Sequence, residues 1–217
     1  GLTGPLNEKQ QRYLVRMSDN SDRLVRMIED LLDRTRIETG RLEVHPADVA
    51  IEPCLADVIE QLKPLAQAKQ QSLEFRCACT DVVVWADRDR LIQTVVNLVQ
   101  NAIKFTPPGG TVSVACELPN HRMATVLVRD TGPGIAPEYL DKIFDPFFRV
   151  QQGQRTAPKG LGLGLSIVKT LVELQGGEVA ACNRPEGGAE LSFTIPIHVV
   201  KVPLLLESHL MGQHILV

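Results

Sequence analysis

Residues 97–107 read Asn97-Leu-Val-Gln-Asn101-Ala-Ile-Lys104-Phe105-Thr-Pro107. Apolar Leu91, Val95, Leu98, Val99 and Ala102 recur around them at helical spacing, which predicts an amphipathic helix over 89–105. Asn97 and Asn101 are four apart and Lys104 follows at three, so all three project from one face. An amide oxygen is a hard, neutral ligand suited to a small divalent cation that keeps several waters and binds beside phosphates. A lysine supplies a point charge for a phosphate oxygen. The bland alternative is a helix with a solvated polar face, and the downstream residues decide against it.

Two glycine-rich loops follow. The strand pattern Ala124-Thr-Val-Leu-Val-Arg-Asp130 ends in a carboxylate, and Gly132 and Gly134 come next, before Ile135. Glycines there let the backbone turn sharply and approach a ligand. The carboxylate can accept a hydrogen bond from the 6-amino group of adenine, where guanine carries a carbonyl oxygen. The second loop is Lys159-Gly160-Leu161-Gly162-Leu163-Gly164-Leu165, opening into the helical pattern Ser166-Ile-Val-Lys-Thr-Leu. Backbone N–H groups at a glycine-rich helix start form an anion site. The string is neither Gly-x4-Gly-Lys-Ser/Thr nor a dinucleotide fingerprint following a strand. Between the loops, Ile143-Phe-Asp-Pro-Phe-Phe-Arg149 holds three of the six phenylalanines and leads into the polar stretch 150–158. This reads as a lid hinged on an aromatic anchor, with Arg149 in reach of phosphate oxygens or simply on the surface.

These four blocks, in this order, resemble the N, G1, F and G2 boxes of the sensor histidine kinases, and the resemblance covers about residues 5–196. It implies a Bergerat-type ATP-binding fold, shared with Hsp90, MutL and gyrase-type ATPases: an α/β (α+β) two-layer sandwich with a mixed sheet, preceded by one long bundle helix. It implies ATP and Mg²⁺, with Asn101 as the metal ligand, Lys104 on a phosphate and Asp130 on the adenine amine. Asn97, Phe105, Gly132, Gly134, Ile135, Arg149, Lys159, Gly160, Leu161, Gly162, Leu163, Gly164 and Leu165 complete the implied nucleotide-binding set. The hydrolysing relatives place Glu four residues before the metal-binding Asn. Here that position is Asn97, which cannot act as a general base at neutral pH. The sequence therefore favours phosphoryl transfer to a protein group over hydrolysis.

The elements that must position these residues follow from the rest of the chain. Its 217 residues, 44% hydrophobic, suffice for one sizeable core plus an appendage. A net charge of −3 gives no reason to expect nucleic acid. No apolar run reaches about 18 residues and no signal-peptide pattern opens the chain, so direct membrane contact is not expected and the segment is expected to be cytoplasmic. Cys54, Cys77, Cys79, Cys116 and Cys182 are scattered without metal spacing and are expected to be reduced. Alternating helical and strand patterns place a helix at 51–69 (with Pro53 in its first turn and Pro64 inside) and strands at 72–79 and 82–86. A hairpin at 111–130, a helix from 164 to about 175 and strands at 178–183 and 189–195 complete the order.

Residues 7–38 carry Leu14, Met17, Ser21, Leu24, Ile28, Leu31 and Thr35 at spacings of three and four, an a/d seam. Arg12, Arg16, Asp22, Arg23, Glu29, Asp30 and Asp33 are expected on the outer faces. A helix of about 30 residues spans roughly 45 Å and needs partner helices. It resembles the second helix of the kinases' dimerisation and phosphotransfer bundle, implying a homodimer and a response regulator or receiver domain as partners. The expected divisions are 1–40 for the partial bundle, 41–196 for the ATP-binding domain and 197–217 for a linker that could open a receiver domain. The family's acceptor histidine lies upstream of Gly1. His45, His121, His198, His209 and His214 lack its sequence context, so no catalytic residue is expected within the chain. The alternatives are a degenerate kinase serving as an ATP-binding or dimerisation scaffold, and a hydrolysing ATPase, which Asn97 disfavours.

Overall fold

Helix α1 (Glu8–Glu38) begins where a capping box closes on itself. The Asn7 side chain accepts the Gln10 N–H at 2.9 Å, and the Gln10 side chain accepts the Asn7 N–H at 2.9 Å. Such a cap contributes about 1 kcal/mol. The computed structural model describes residues 6–78, 81–149 and 161–200. The expected members Lys159 and Gly160, the polar stretch 150–158, Cys79 and the tail from 201 lie outside the described residues.

After α1 come strand β1 (Ala47–Ala50), helix α2 (Ile51–Ala68), β2 (Ser72–Cys77), β3 (Val82–Ala86) and helix α3 (Arg88–Phe105). The hairpin β4 (Thr111–Glu117) and β5 (Met123–Asp130) follows, then helix α4 (Gly164–Leu174), β6 (Val179–Asn183) and β7 (Ala189–Val200). The sheet order is β1-β3-β7-β5-β4-β2, with β6 also paired to β7. β2 and β4 run parallel and the other pairs antiparallel, so the sheet is mixed. Every second residue of β4 (Val112, Val114, Cys116) is buried, as a half-covered strand requires. These side chains meet Leu55 and Ile59 of α2, Val95 and Val99 of α3, and Val168 and Val172 of α4 in one core. The helices form one layer and the sheet the other, the expected two-layer α/β arrangement.

Two strands differ from the sequence reading. β1 has no counterpart there; its four residues pair antiparallel with β3, an edge too short to leave a clear period. β7 runs past residue 196 to Val200, because its last residues pair with β3. Pro64 lies inside α2, where the sequence reading placed it.

On α1 the expected seam is open: Leu14, Met17, Leu24, Ile28 and Leu31 are all exposed. Asp33 departs from expectation. The sequence puts it on an outer face, yet it is buried, because the last turns of α1 pack on the ATP-domain layer. Ile37 and Leu42 join Leu163, just before α4, and Ile167 and Leu171 of α4 in a small second core.

Asp87 ties that junction together. Its Oδ1 accepts the N–H groups of Asp89 (3.1 Å) and Arg90 (3.2 Å), capping α3, and its Oδ2 accepts the His45 N–H at 2.9 Å. Its own N–H donates to Gln175 Oε1 at 2.8 Å. Burial alone raises the Asp87 pKa, but these three N–H groups and the nearby Arg90 charge outweigh it and hold the carboxyl below its ordinary value. A carboxylate with a lowered folded pKa stabilises above the unfolded pKa of about 3.9, and that contribution is lost as pH falls through the folded value. Asp87→Ala is therefore expected to lower stability at pH 7 by about 1 kcal/mol. The gap to wild type should narrow below about pH 4 in denaturant melts.

Candidate nucleotide site

Helix α3 is amphipathic because its core residues Leu91, Thr94, Val95, Leu98, Val99, Ala102 and Ile103 are all buried. That packing turns Asn97, Asn101 and Lys104 to the opposite side, where each is half-buried. The Asn97 Nδ2 is enclosed without a hydrogen-bond partner. Its Oδ1 faces the start of α4, where a Cβ built on Gly164 would lie 3.7 Å from it. Lys104 Nζ sits 4.9 Å from the ring centroid of the exposed Phe105.

Asp130, the last residue of β5, is buried. Its Oδ1 accepts the N–H of Gly132 at 2.7 Å and of Ala189 at 3.3 Å. Both hydrogen bonds fall on one oxygen, leaving Oδ2 to serve another donor. A Cβ on Gly132 would meet that Oδ1 at 2.8 Å and the Phe105 carbonyl oxygen at 3.0 Å. The loop thus closes on the end of α3 only because position 132 is glycine. Gly188, with φ at +85, is more constrained still, since a Cβ there would stand 1.9 Å from the Asp130 carbonyl oxygen.

The turn between β6 and β7 supplies residues that sequence reasoning missed. Asn183 Oδ1 accepts the Ile135 N–H at 2.7 Å, and its Nδ2 donates to the Ile135 carbonyl at 2.6 Å. Arg184 Nη1 donates to the Asp130 carbonyl at 3.2 Å. Gly187-Gly188 marks this turn in the sequence, but nothing local indicates that it braces a loop about 50 residues earlier.

The aromatic segment anchors as its composition suggested. Ile143 is buried, and the Phe148 ring lies 5.4 Å from that of Tyr139. Phe147 instead points outward at 60% exposure with φ at +62. Its N–H donates to the Gly162 carbonyl at 2.9 Å. A Cβ on Gly162 would lie 3.2 Å from the Arg149 side chain, so Arg149 and the second glycine loop are neighbours. Leu161 is exposed and Leu165 half-buried. Leu163 turns its side chain into the cluster with Ile167 and Leu171, which leaves only its backbone to meet a ligand.

The structure therefore gathers α3, the 130–135 loop, the 161–165 segment and the β6–β7 turn. A buried carboxylate with one oxygen occupied, an enclosed amide lacking a partner and glycines where a Cβ would collide suit a purine nucleotide and its phosphates. For a divalent cation the fit is a single hard oxygen. Among the described residues no three His, Cys, Asp or Glu side chains cluster around a metal position. An ion there would rest on the Asn101 amide oxygen, phosphates and water, the habit of Mg²⁺.

Comparison with known proteins agrees with this geometry. Residues 86–199 match the family described as histidine kinase-, DNA gyrase B- and HSP90-like ATPase. Residues 1–40 match the His Kinase A (phospho-acceptor) domain. The sensor histidine kinase AtsR of Burkholderia thailandensis is 33% identical over 201 residues, 91% of this chain and 33% of that protein. Full-length ShkA in complex with AMPPNP superposes with a TM-score of 0.76 at 30% identity, covering 93% of this chain and 42% of ShkA. Histidine kinase ThkA in complex with response regulator protein TrrA gives a TM-score of 0.68 at 26% identity, covering 91% of this chain and 53% of that one. The chain spans half or less of the length of the curated relatives it matches and of full-length ShkA.

Because Asn183 holds the first glycine loop through both amide atoms, Asn183→Ala is expected to weaken ADP binding about tenfold, roughly 1.4 kcal/mol. The partly exposed hydrogen bonds should cost the fold only about 1 kcal/mol. Titration calorimetry beside thermal melts separates the two effects.

Proposed function

The chain belongs to the family of histidine kinase-, DNA gyrase B- and HSP90-like ATPases, as a sensor histidine kinase. On that premise we propose that it binds ATP and passes the γ-phosphoryl group to a histidine of the helical bundle, in two-component signalling with a response regulator or receiver domain. Residues 1–40 contain no histidine, so the acceptor is assigned to a segment upstream of Gly1. Residues 1–40 are the partial bundle and 41–200 the ATP-binding domain, whose last strand runs to Val200, past the boundary at 196 read from the sequence. The open apolar seam of α1 is the surface for a second copy. No helix among the described residues is long and apolar enough to cross a membrane, and the segment is assigned to the cytoplasm.

The observation that carries this reading is the buried Asp130 carboxylate, held through Oδ1 by two backbone N–H groups. An acceptor oxygen fixed in a dry site selects a ligand amine strongly, because a base without that donor leaves it unpaired. Lys104 and Asn97 lie along α3 where the phosphates of a nucleotide seated on Asp130 run. Asn101 would hold Mg²⁺, which supplies charge neutralisation on the phosphate oxygens. Transfer breaks the bond from the γ-phosphorus to the β–γ bridging oxygen and forms a P–N bond to the acceptor imidazole. ADP leaves, and the imidazole gives up its ring proton. There is little covalent work for the protein, so positioning dominates. Asn97 cannot take a proton from water, which keeps hydrolysis slow.

Mg-ATP at a hundred times its Kd is expected to stabilise the chain by about 2.7 kcal/mol. That corresponds to a rise of roughly 5–10 °C in Tm. Asp130→Ala should remove most of that shift together with the preference for adenine over guanine nucleotides. An unchanged shift in that variant would contradict the assignment.

A further inference from the structure

Two charged residues are buried among those described, Asp130 and Asp33. The proposed function uses the first. Asp33 sits on the last turns of α1, far along the sequence from every nucleotide-facing residue. Gln93 Nε2 donates to its Oδ2 at 2.7 Å. Arg90 Nη1 donates to Gln93 Oε1 at 3.0 Å and lies 3.5 Å from the same Asp33 oxygen. Arg36 of α1 is more distant, 3.9 Å from the other carboxylate oxygen. Asp33, Gln93 and Arg90 thus close a triangle across the α1–α3 junction, beside the apolar contact of Ile37 with α4.

A buried ion pair is a poor way to gain stability, since apolar side chains of the same volume do as well or better. A charge-assisted, directional contact does supply one defined orientation. Its position on α3 is informative. Gln93, Asn97 and Asn101 are spaced by four, so they share one face, and Asn97 is about 6 Å further along the helix axis than Gln93. Helix α1 is therefore fastened to the same polar face that meets the nucleotide, one turn before it starts.

We propose that Asp33, Gln93 and Arg90 are positioning residues: a polar latch that seats the ATP-binding layer on α1 in the orientation used for phosphoryl transfer to the bundle. The proposal rests on the kinase reading. None of the three touches the nucleotide, so the latch acts on transfer and not on binding.

The test is an isosteric exchange in the full-length protein. Asp33→Asn removes the charge, and Gln93→Glu sets two carboxylates against each other. The double variant restores the triangle with donor and acceptor reversed: the amide now on α1 donates to the carboxylate now on α3, and Arg90 pairs with that carboxylate. Each single variant is expected to lower the rate of transfer from γ-labelled ATP about tenfold, while its Kd for Mg-ADP stays within about twofold of wild type. Trypsin cleavage within residues 34–41 should become about tenfold faster in the single variants, as the junction opens more often. The double variant should recover both readouts to within about threefold. Wild-type transfer and cleavage rates in the single variants would overturn the latch. So would a natively melting double variant no better than the worse single. If the wild-type protein itself bound nucleotide without transferring phosphate, the kinase reading would fail, and the cleavage rates alone would decide whether the latch stands.

Discussion

The rotation of α3 about its own axis is the constraint on which the site depends. Leu91, Val95, Leu98, Val99, Ala102 and Ile103 are all at most 5% exposed against the sheet and neighbouring helices. Burying each large side chain contributes about 1.5–3 kcal/mol, whereas a single polar contact on the opposite face nets about 1 kcal/mol. The apolar face therefore sets the rotation, and Arg90, Gln93, Asn97, Asn101 and Lys104 take the direction it leaves them. One helix so placed presents an ordered polar strip, with the contact to α1 at one end and Asn97, Asn101 and Lys104, the residues proposed to meet phosphates and metal, at the other.

Around that strip, backbone carries much of the chemistry. Asp130 is held by N–H groups of Gly132 and Ala189, and Arg184 and Asn183 secure the adjoining carbonyl and loop. A carboxylate supported in this way is already in place before a ligand arrives, so little ordering remains to oppose binding. The glycines contribute by what they omit. At 132 and 188 a Cβ would collide with Asp130 itself, so the close fit of loop to strand exists only with hydrogen at those positions. The second glycine loop has a different neighbour: its Leu163 packs toward Ile37 at the end of α1, coupling the start of α4 to the helix that carries the open apolar seam.

Much of this was legible in the sequence where local rules apply. The apolar spacing places α1 to within one residue of its bounds, and the apolar period of α3 places its polar face correctly. Alternation marks the β4–β5 hairpin. What was not legible depends on long-range pairing. β1 is four residues long and exists because β3 lies beside it. The end of β7 is strand because β3 accepts it, although Pro196 and the residues after it suggest a linker. Asp33 looks like an ordinary charge on an exposed face, since neither the docking of α1 on α3 nor its partner Gln93, 60 residues away, leaves a local trace. Asn183 is similar: an asparagine after a strand reads as a turn, and only the folded chain brings it to Ile135.

The central claim is that one nucleotide occupies the space between α3, Asp130 and the start of α4. A titration of the isotope-labelled chain with Mg-ADP, followed by amide resonances, tests it most directly. The account predicts that the largest shifts fall at 97–105, 130–135 and 161–165, with a second group at the bracing turn 183–189 and little change along residues 8–25 of α1. Saturable shifts confined to other surfaces, with those segments unmoved, would contradict it.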